Sequence, residues 1–256
     1  MKPRLKIKKS INLLFLVACL SWACRSFSLP DINRSVSDVR NWLLYGGEPN
    51  RSGFRHRPTR PTFEHVWTYE LTSAPGKAIT VANGIVVIPT LDGRIDFVDI
   101  ETGQRLGRMK TEDREEATCA LQDNLLFIAS RYGNHSLVAY RLNSGNYLWQ
   151  INAGSVASEP LITGDGIYIS ALYKHIDKYD VQTGKRLWTF ATTGQHHSSP
   201  AIDNHTVVVG CDTGILYAIN AETGELKWQT SLTTGIMATP IIKEGKVFVG
   251  SIDSTF

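Results

Sequence analysis

The sequence predicts an all-β protein, a β-propeller of four-stranded antiparallel blades, because one pattern of about 40 residues recurs along most of the chain. Glycines that end a Thr-Gly or Ser-Gly pair are spaced by 42, 39 and 40 residues, and a tryptophan follows three of them by four positions. Prolines recur every 40 residues. The repeated positions are Gly103, Gly145, Gly184 and Gly224; Trp149, Trp188 and Trp228; Pro160, Pro200 and Pro240. A unit of this length with several short β-rich runs has the size of a propeller blade.

Each unit is predicted to contain four short strands. The first begins at the proline, where a terminal or edge position need not donate a backbone hydrogen bond. The second is apolar, the third alternates in polarity, and the fourth carries the tryptophan. The turn between the third and fourth strands ends in the repeated glycine, which can adopt the positive φ that its neighbours avoid. The tryptophan is predicted to pack between neighbouring blades as a structural residue.

Four complete units are predicted at residues 76–112, 117–153, 157–193 and 197–233, and a partial fifth begins at Met237. Upstream, His65–Leu71 has the pattern of a fourth strand, and Trp67 lies at the tryptophan phase, 40 residues before Gly107. Gly107 stands where the first unit should carry its own tryptophan. Two arrangements stay open: a five-blade ring whose last blade uses the N-terminal strand, and an incomplete member of a larger ring, which we favour.

One segment resembles a known repeat closely. The run GCDTGILYAINAETGELKWQ (Gly210–Gln229) is similar to the PQQ-like propeller repeat, in which G-x-x-D-G-x-L-Y-A-L-D-x-x-T-G-x-x-x-W marks each blade. NWLLYGGEPNRSGFR (Asn41–Arg55) resembles the leader that precedes the first blade in many exported members. The resemblance covers residues 41–256 and implies a propeller. For some members it implies a scaffold role in the assembly of outer-membrane β-barrel proteins.

The N-terminal residues have the pattern of an export signal. Five basic residues fall within the first nine positions, and Ile11–Ala23 is a mainly apolar stretch of 13 residues, shorter than the roughly 20 that span a bilayer as a helix. Leu16-Val17-Ala18-Cys19 resembles a bacterial lipobox, whose cysteine is lipidated; Ser21-Trp22-Ala23-Cys24 is the alternative, and ordinary cleavage or an uncleaved anchor stays open. Neither cysteine precedes an aspartate, so the resemblance implies an outer-membrane anchor that faces the periplasm.

The net charge argues against a nucleic-acid partner, and the spacing of the remaining cysteines argues against a disulfide. Without residues 1–18, 22 basic side chains face 24 acidic ones, a net charge of −2. That balance gives no electrostatic reason to expect a nucleic-acid partner. Cys119 and Cys211 are predicted to be small buried residues instead of a disulfide.

No catalytic apparatus is predicted. The sequence has no G-x-S-x-G elbow, H-E-x-x-H, Walker A loop or C-x-x-C pair. It also lacks the adjacent cysteine pair that PQQ-binding members of the resembling family carry, so no cofactor is predicted. The acidic residues at turn positions are predicted to make local hydrogen bonds. These residues are Asp99, Glu101, Asp180 and Glu222.

The residues GQHHSSP after the third unit are the most suggestive polar group. His196 and His197 are predicted to be a solvated loop pair, because no second histidine occupies the same column in other units and a metal cage needs three or four ligands. Ser198, Ser199 and Thr239 are predicted to line the central channel as small polar residues.

These observations predict three regions: a signal peptide at residues 1–23 with cleavage before Cys19 or Cys24, a leader at 24–61, and the propeller at 62–256. The predicted function is a non-catalytic exported scaffold that binds partner proteins through its loops, anchored to the outer membrane by lipid. A PQQ-dependent dehydrogenase-like or ligand-binding propeller is the alternative, because a fold does not fix a function.

Overall fold

The computed structural model describes Leu29 and residues 41–53, 64–111 and 117–253. These residues form four four-stranded antiparallel sheets and one two-stranded sheet. The prediction of an all-β propeller with four complete blades and a partial fifth is therefore confirmed. Across the described ranges, no helix is both long and apolar enough to cross a membrane.

The strands follow the chain blade by blade. Blade 1 contains β1 (Thr80–Ala82), β2 (Ile85–Pro89), β3 (Arg94–Asp99) and β4 (Arg105–Lys110); blade 2 contains β5 (Thr118–Gln122), β6 (Leu125–Ala129), β7 (Leu137–Arg141) and β8 (Asn146–Ile151). Blade 3 contains β9 (Leu161–Thr163), β10 (Gly166–Ala171), β11 (His175–Tyr179) and β12 (Arg186–Ala191); blade 4 contains β13 (Ala201–Asp203), β14 (Thr206–Gly210), β15 (Ile215–Asn220) and β16 (Leu226–Ser231). Blade 5 contains β17 (Ile241–Lys243) and β18 (Lys246–Phe248).

Burial changes systematically from the first strand of a blade to the fourth. All five residues of β2 and all six of β10 are buried, whereas every residue of β16 is exposed. First strands contact one another around the ring, as β1 does with β5 and β13 with β17. The first strands are therefore innermost, and the core consists of the apolar second and third strands of adjacent blades.

The turns between third and fourth strands are fixed by local hydrogen bonds. Asp180 Oδ1 accepts the backbone N–H of Gln182 at 3.2 Å and that of Thr183 at 2.8 Å, and Asp99 holds the equivalent turn of blade 1 in the same way. These bonds confirm the local role predicted for Asp99 and Asp180. The Thr183 hydroxyl and backbone are the main reasons why the pKa of Asp180 is lowered.

The ring is open over the described residues. Blade 5 has two strands, and the segment that begins at Glu64 forms no strand with it. Trp67, Tyr69 and Leu71 of that segment pack instead against the outer part of blade 1. The closed five-blade arrangement therefore does not describe this structure.

Hydrogen bonds between residues 40 positions apart join successive blades. Glu159 N–H donates to Ser199 Oγ at 2.9 Å, and Ser199 N–H donates to Thr239 Oγ1 at 3.2 Å. The Ser199 hydroxyl in turn donates to the Glu159 carboxylate. Ser198 and Ser199 are fully buried, and their hydroxyls connect strands and blades. Their place along the central channel stays a prediction. Thr239 is half-buried.

The segment at residues 41–53 runs along the inner edges of the first strands. Four backbone contacts place it there, each with a 2.7–2.9 Å hydrogen bond: Trp42 with Val81, Leu43 with Leu121, Pro49 with Ile202, and Asn50 with Ile242. The acceptors and donors on the propeller side belong to the first strands of blades 1, 2, 4 and 5. This inner segment therefore connects the first blade with the last.

Candidate interaction surface

The antiparallel order gives the propeller two chemically different faces. Turns between first and second strands and between third and fourth strands lie on one face, which we call the turn face. Turns between second and third strands, with the loops that lead to the next blade, lie on the opposite face, which we call the loop face. Loops of a rigid scaffold are where binding residues concentrate.

The loop face carries large apolar side chains at the turns that follow the second strands. Their exposed fractions are 45% for Leu91, 53% for Tyr132, 71% for Tyr173 and 64% for Ile252. We call these four residues the rim; they belong to blades 1, 2, 3 and 5. Tyrosines at positions of this kind are typical anchors of protein interfaces. The repeat pattern did not identify them, although apolar residues inside predicted turns were a visible signal.

Backbone hydrogen bonds brace the rim. Leu91 N–H donates to Ala74 O at 3.0 Å, Leu172 N–H to Ser155 O at 2.9 Å, and Ile252 N–H to Gly235 O at 3.1 Å. Each bond ties a turn to the loop that enters its own blade, 17 residues earlier in the chain. In blade 2, the Arg131 guanidinium lies 5.5 Å from the centre of the Tyr132 ring. Braced turns lose little conformational entropy when a partner binds.

Arg51 holds the inner segment against the middle of the ring. Its Nη1 donates to Tyr45 O at 2.6 Å, Nε to Pro200 O at 3.0 Å and Nη2 to Glu159 O at 3.3 Å. Arg51 is 3% exposed. Burial lowers the pKa of Arg51 to about 10, and the Glu159 carboxylate opposes this effect, so the guanidinium stays charged at neutral pH.

The repeated tryptophans and glycines form contacts between adjacent blades. The indole of Trp67 lies over Gly103, that of Trp149 over Gly184, and that of Trp188 over Gly224. In each case the indole N–H donates to the carbonyl three residues before the glycine: Ile100 at 2.8 Å, Val181 at 2.9 Å and Ala221 at 3.1 Å. Each glycine has a φ between 68° and 75° and so tolerates no side chain for two reasons, its conformation and the indole above it.

Two positions depart from this pattern. Gly145 has a φ of 71°, like the other turn glycines. The tryptophan that would cover it is missing, because blade 1 has Gly107 at the tryptophan position. The carbonyl of Leu142, three residues before Gly145, accepts the N–H of Leu29 at 2.6 Å instead, and the buried Leu29 packs with Leu142. Trp228 of blade 4 is 42% exposed, and blade 5 has two strands over the described residues.

His196 is fully buried, so the prediction of a solvated loop histidine is wrong for this residue. Its Nδ1 donates to Gly210 O at 2.8 Å, and the Thr192 hydroxyl lies 2.7 Å from Nε2. Burial lowers the pKa of His196 to about 4; His175 and His197 lower it further, whereas Gly210 O and Asp212 oppose the shift. The neutral ring joins the end of blade 3 to blade 4. His197 is half-buried.

Acidification is expected to destabilise the propeller through His196. The unfolded chain binds the proton near the ordinary pKa of 6.5 and the folded chain near 4, so stability is complete above pH 6.5 and falls as the pH drops toward 4. Between pH 7.5 and pH 5 we expect a loss of about 2 kcal/mol in the free energy of unfolding. Urea unfolding followed by circular dichroism measures it. His196→Gln should remove most of this loss, and an unchanged pH dependence in that variant would contradict the assignment.

The remaining predicted residues play no part in the rim. Cys119 and Cys211 are free and buried, which confirms the prediction that they are small buried residues and not a disulfide. Burial raises the pKa of Cys119 to about 12. Cys19 and Cys24 lie outside the described residues. In the described ranges, no group of three or more histidine, cysteine or acidic side chains is arranged to hold a metal ion.

Comparison with known proteins identifies relatives of the chain. A family model described as "Outer membrane protein assembly factor BamB" matches residues 91–256. The outer membrane protein assembly factor BamB of Escherichia coli K12 is 26% identical over 191 residues, which are 70% of this chain and 48% of that protein. The chain thus spans about half the length of the curated BamB relatives it matches.

Two further comparisons mark the breadth of the fold. Tetrathionate hydrolase of Acidithiobacillus ferrooxidans is 33% identical over 124 residues, which are 44% of this chain and 24% of that protein. The crystal structure of BamB from Moraxella catarrhalis superposes with a TM-score of 0.64 at 18% identity, over 74% of this chain and 59% of that one. At this identity the structural match shows the fold alone.

Proposed function

Because the chain belongs to the family described as outer membrane protein assembly factor BamB, we propose that it is a protein-binding scaffold of the cell envelope that takes part in assembling outer-membrane proteins. The observation that carries the proposal is the rim: four large apolar side chains exposed on one face of a braced ring. A few such anchors supply most of the affinity of a protein interface.

The scaffold role is supported over catalysis by what occupies the middle of the ring. The inner segment lies against the first strands, and the Arg51 guanidinium hydrogen-bonds three carbonyls of this chain. The loop face offers the rim side chains to a partner. The proposal therefore assigns no catalytic residue, cofactor or metal to the protein, and expects a protein partner and no nucleic acid.

Site-specific photo-crosslinking in the native host tests the proposal. A photoreactive phenylalanine analogue placed at Tyr132 or Tyr173 should give the same discrete adduct with an envelope protein. Lys185 on the turn face, which is also exposed, is the matched control and should give none. Adducts of equal yield from Lys185, or none from either tyrosine, would refute the rim as the contact surface. Identification of the adduct as an outer-membrane assembly protein would support the specific role.

The proposed location rests on the predicted signal peptide at residues 1–23. The leader at 24–61 and the propeller at 62–256 follow it. We propose that this signal directs export and that Cys19, or alternatively Cys24, carries the lipid that anchors the protein to the outer membrane, facing the periplasm. The intact mass of the protein and of Cys19→Ala and Cys24→Ala checks this. A lipid-sized mass increase should disappear in one variant, and an unmodified product from all three would refute the anchor.

A further inference from the structure

We propose that the turn face of blades 1 and 2 faces the surface of the lipid bilayer, so that the loop face points away from the membrane. This orientation rests on the lipid anchor proposed above for Cys19 or Cys24, and it goes beyond the anchor because it assigns the side of the propeller that the bilayer meets. It is inferred from two contacts near the N-terminus and from the number of residues that separate them from the anchor.

Leu29 is fixed on the turn face. Its N–H donates to Leu142 O at 2.6 Å, and its side chain is buried in the core cluster that contains Leu142. Leu142 directly follows β7, so it begins the turn between the third and fourth strands of blade 2. The first described residue after the proposed lipidation sites therefore lies at the turn-face end of this blade.

The chain enters the ring from the same face. The side-chain oxygen of Asn41 accepts the N–H of Asn83 at 3.3 Å, and Asn83 lies in the turn between β1 and β2. Trp42 then pairs with Val81 through two backbone hydrogen bonds of 2.7 Å. Leu29 and Asn41 thus both hold the N-terminal part of the chain at the turns of two adjacent blades.

The number of residues limits the distance between the anchor and the turn face. Leu29 follows Cys24 by five residues and Cys19 by ten. An extended chain spans at most about 3.6 Å per residue, so a lipidated Cys24 lies within about 18 Å of Leu29 and a lipidated Cys19 within about 36 Å. Strands β6 and β7 have five residues each, so the loop face is roughly 17 Å farther from the anchor.

The opposite orientation is disfavoured by the same limit. With the loop face toward the bilayer, the chain from Leu29 would have to run back along the height of blade 2 before it reached the lipid. That path would use nearly all of the reach from Cys24 and about half of the reach from Cys19. Stretching a chain in this way costs conformational entropy, so the turn face is the favoured side for either cysteine.

The chemistry of the turn face fits a surface that lies near a bilayer without inserting into it. The exposed charged residues at or beside the turns of blades 1 and 2 are two of each sign: Glu101, Asp123, Arg105 and Arg141. The described residues of these turns include none of the large exposed apolar side chains. Neither a net charge nor apolar burial would hold this face on the bilayer, so the orientation depends on the tether.

Energy transfer from labelled protein to labelled lipid tests the orientation. An azide-bearing phenylalanine analogue, coupled to a donor dye, is placed at Ser144 or Asn134, which are both exposed and lie at opposite ends of β7. The full-length lipidated protein is reconstituted into vesicles of phosphatidylethanolamine and phosphatidylglycerol that contain a rhodamine-labelled headgroup. We expect the transfer rate from Ser144 to exceed that from Asn134 at least twofold.

Two variants identify the cause of the difference. Leu29→Asp places a charge in the buried site of Leu29, so it should release this contact, lengthen the tether and bring the two transfer rates closer together. Its circular dichroism spectrum should stay that of the unaltered protein, because the blades do not depend on Leu29. The Cys19→Ala or Cys24→Ala variant that loses the lipid should show no transfer from either position.

Other results would overturn the proposal. Equal transfer from the two positions, or greater transfer from Asn134, would refute the orientation while the anchor stands. No flotation of the unaltered protein with the vesicles would refute the anchor and the orientation with it. Transfer that persists without the lipid, or a Ser144 preference that Leu29→Asp leaves unchanged, would refute the tether as its cause. Rim crosslinking is a separate measurement, so failure of the orientation and failure of the proposed function are distinguishable.

Discussion

Trp149→Ala is expected to lower the free energy of unfolding by about 3–5 kcal/mol, the usual cost of truncating a buried tryptophan. Trp149 is 9% exposed, packs with Phe127 at a ring-centroid distance of 6.1 Å, and donates its indole N–H to Val181 O at 2.9 Å. Truncation leaves a cavity between blades 2 and 3 and removes the bond that joins them. Equilibrium urea unfolding followed by far-ultraviolet circular dichroism measures the change.

The chain contains a matched control for this prediction. Trp228→Ala removes the same side chain from the same repeat position where it is 42% exposed, so we expect a loss below about 1 kcal/mol. Gly184→Val attacks the contact from the other side, because a Cβ there would lie 2.7 Å from indole Cδ2 at a φ of +68°, and should cost at least about 2 kcal/mol. Equal losses for Trp149→Ala and Trp228→Ala would show that the blade contact is not the source of the effect.

Arg51→Met should lower the free energy of unfolding by about 3 kcal/mol and release the inner segment. The substitution removes three hydrogen bonds and leaves the carbonyls of Tyr45, Glu159 and Pro200 without the donor that each has in the folded chain. It also leaves the buried Glu159 carboxylate without its guanidinium neighbour. Unfolding in urea gives the energy. Limited chymotrypsin digestion followed by mass spectrometry reports release of residues 41–53, which contain the chymotrypsin sites Trp42 and Tyr45.

Arg94→Met is the control for the loss of an arginine. Arg94 pairs with Asp92 at 2.9 Å, but its side chain is 41% exposed, and exposed ion pairs contribute little. Its loss should cost less than about 1 kcal/mol and leave the chymotrypsin pattern of the inner segment unchanged. Arg51→Lys should recover only part of the stability, because an ammonium group cannot reach three separated carbonyls in the geometry of the guanidinium fork. Full recovery by lysine would show that charge alone matters there.

The repeat phase was sufficient to predict the blades, because glycines at positive φ and alternating strands are local requirements that every unit meets separately. Gly224 and the strands on either side of it are an example: the turn is held by Asn220, four residues away. The partial fifth blade that begins at Met237 followed from the same count.

Properties that depend on partners distant in the sequence were not predictable in the same way. His196 was expected in solvent, yet it is buried between two strand ends that are distant in sequence. Gly210 at the end of β14 binds one ring nitrogen, and Thr192 after β12 lies beside the other. The leader was expected only to precede the first blade, and nothing in Pro49 or Asn50 indicates that their carbonyls accept hydrogen bonds from blades 4 and 5. The rim was overlooked because repeat analysis discards positions where units differ, and the proposed contact surface consists of such positions.

The path of the inner segment limits the order in which parts of the chain can fold. Asn50 accepts a hydrogen bond from Ile242, so its partner is synthesised 192 residues later. At translation rates of about 5–20 residues per second, that is a delay of roughly 10–40 s. During this delay each blade can form from its own hairpins, and Trp42 can already bond to Val81, but Asn50 has not yet met its partner strand. Closure over so long a sequence separation is slow, so the second half of the inner segment becomes native only after the blades that it joins.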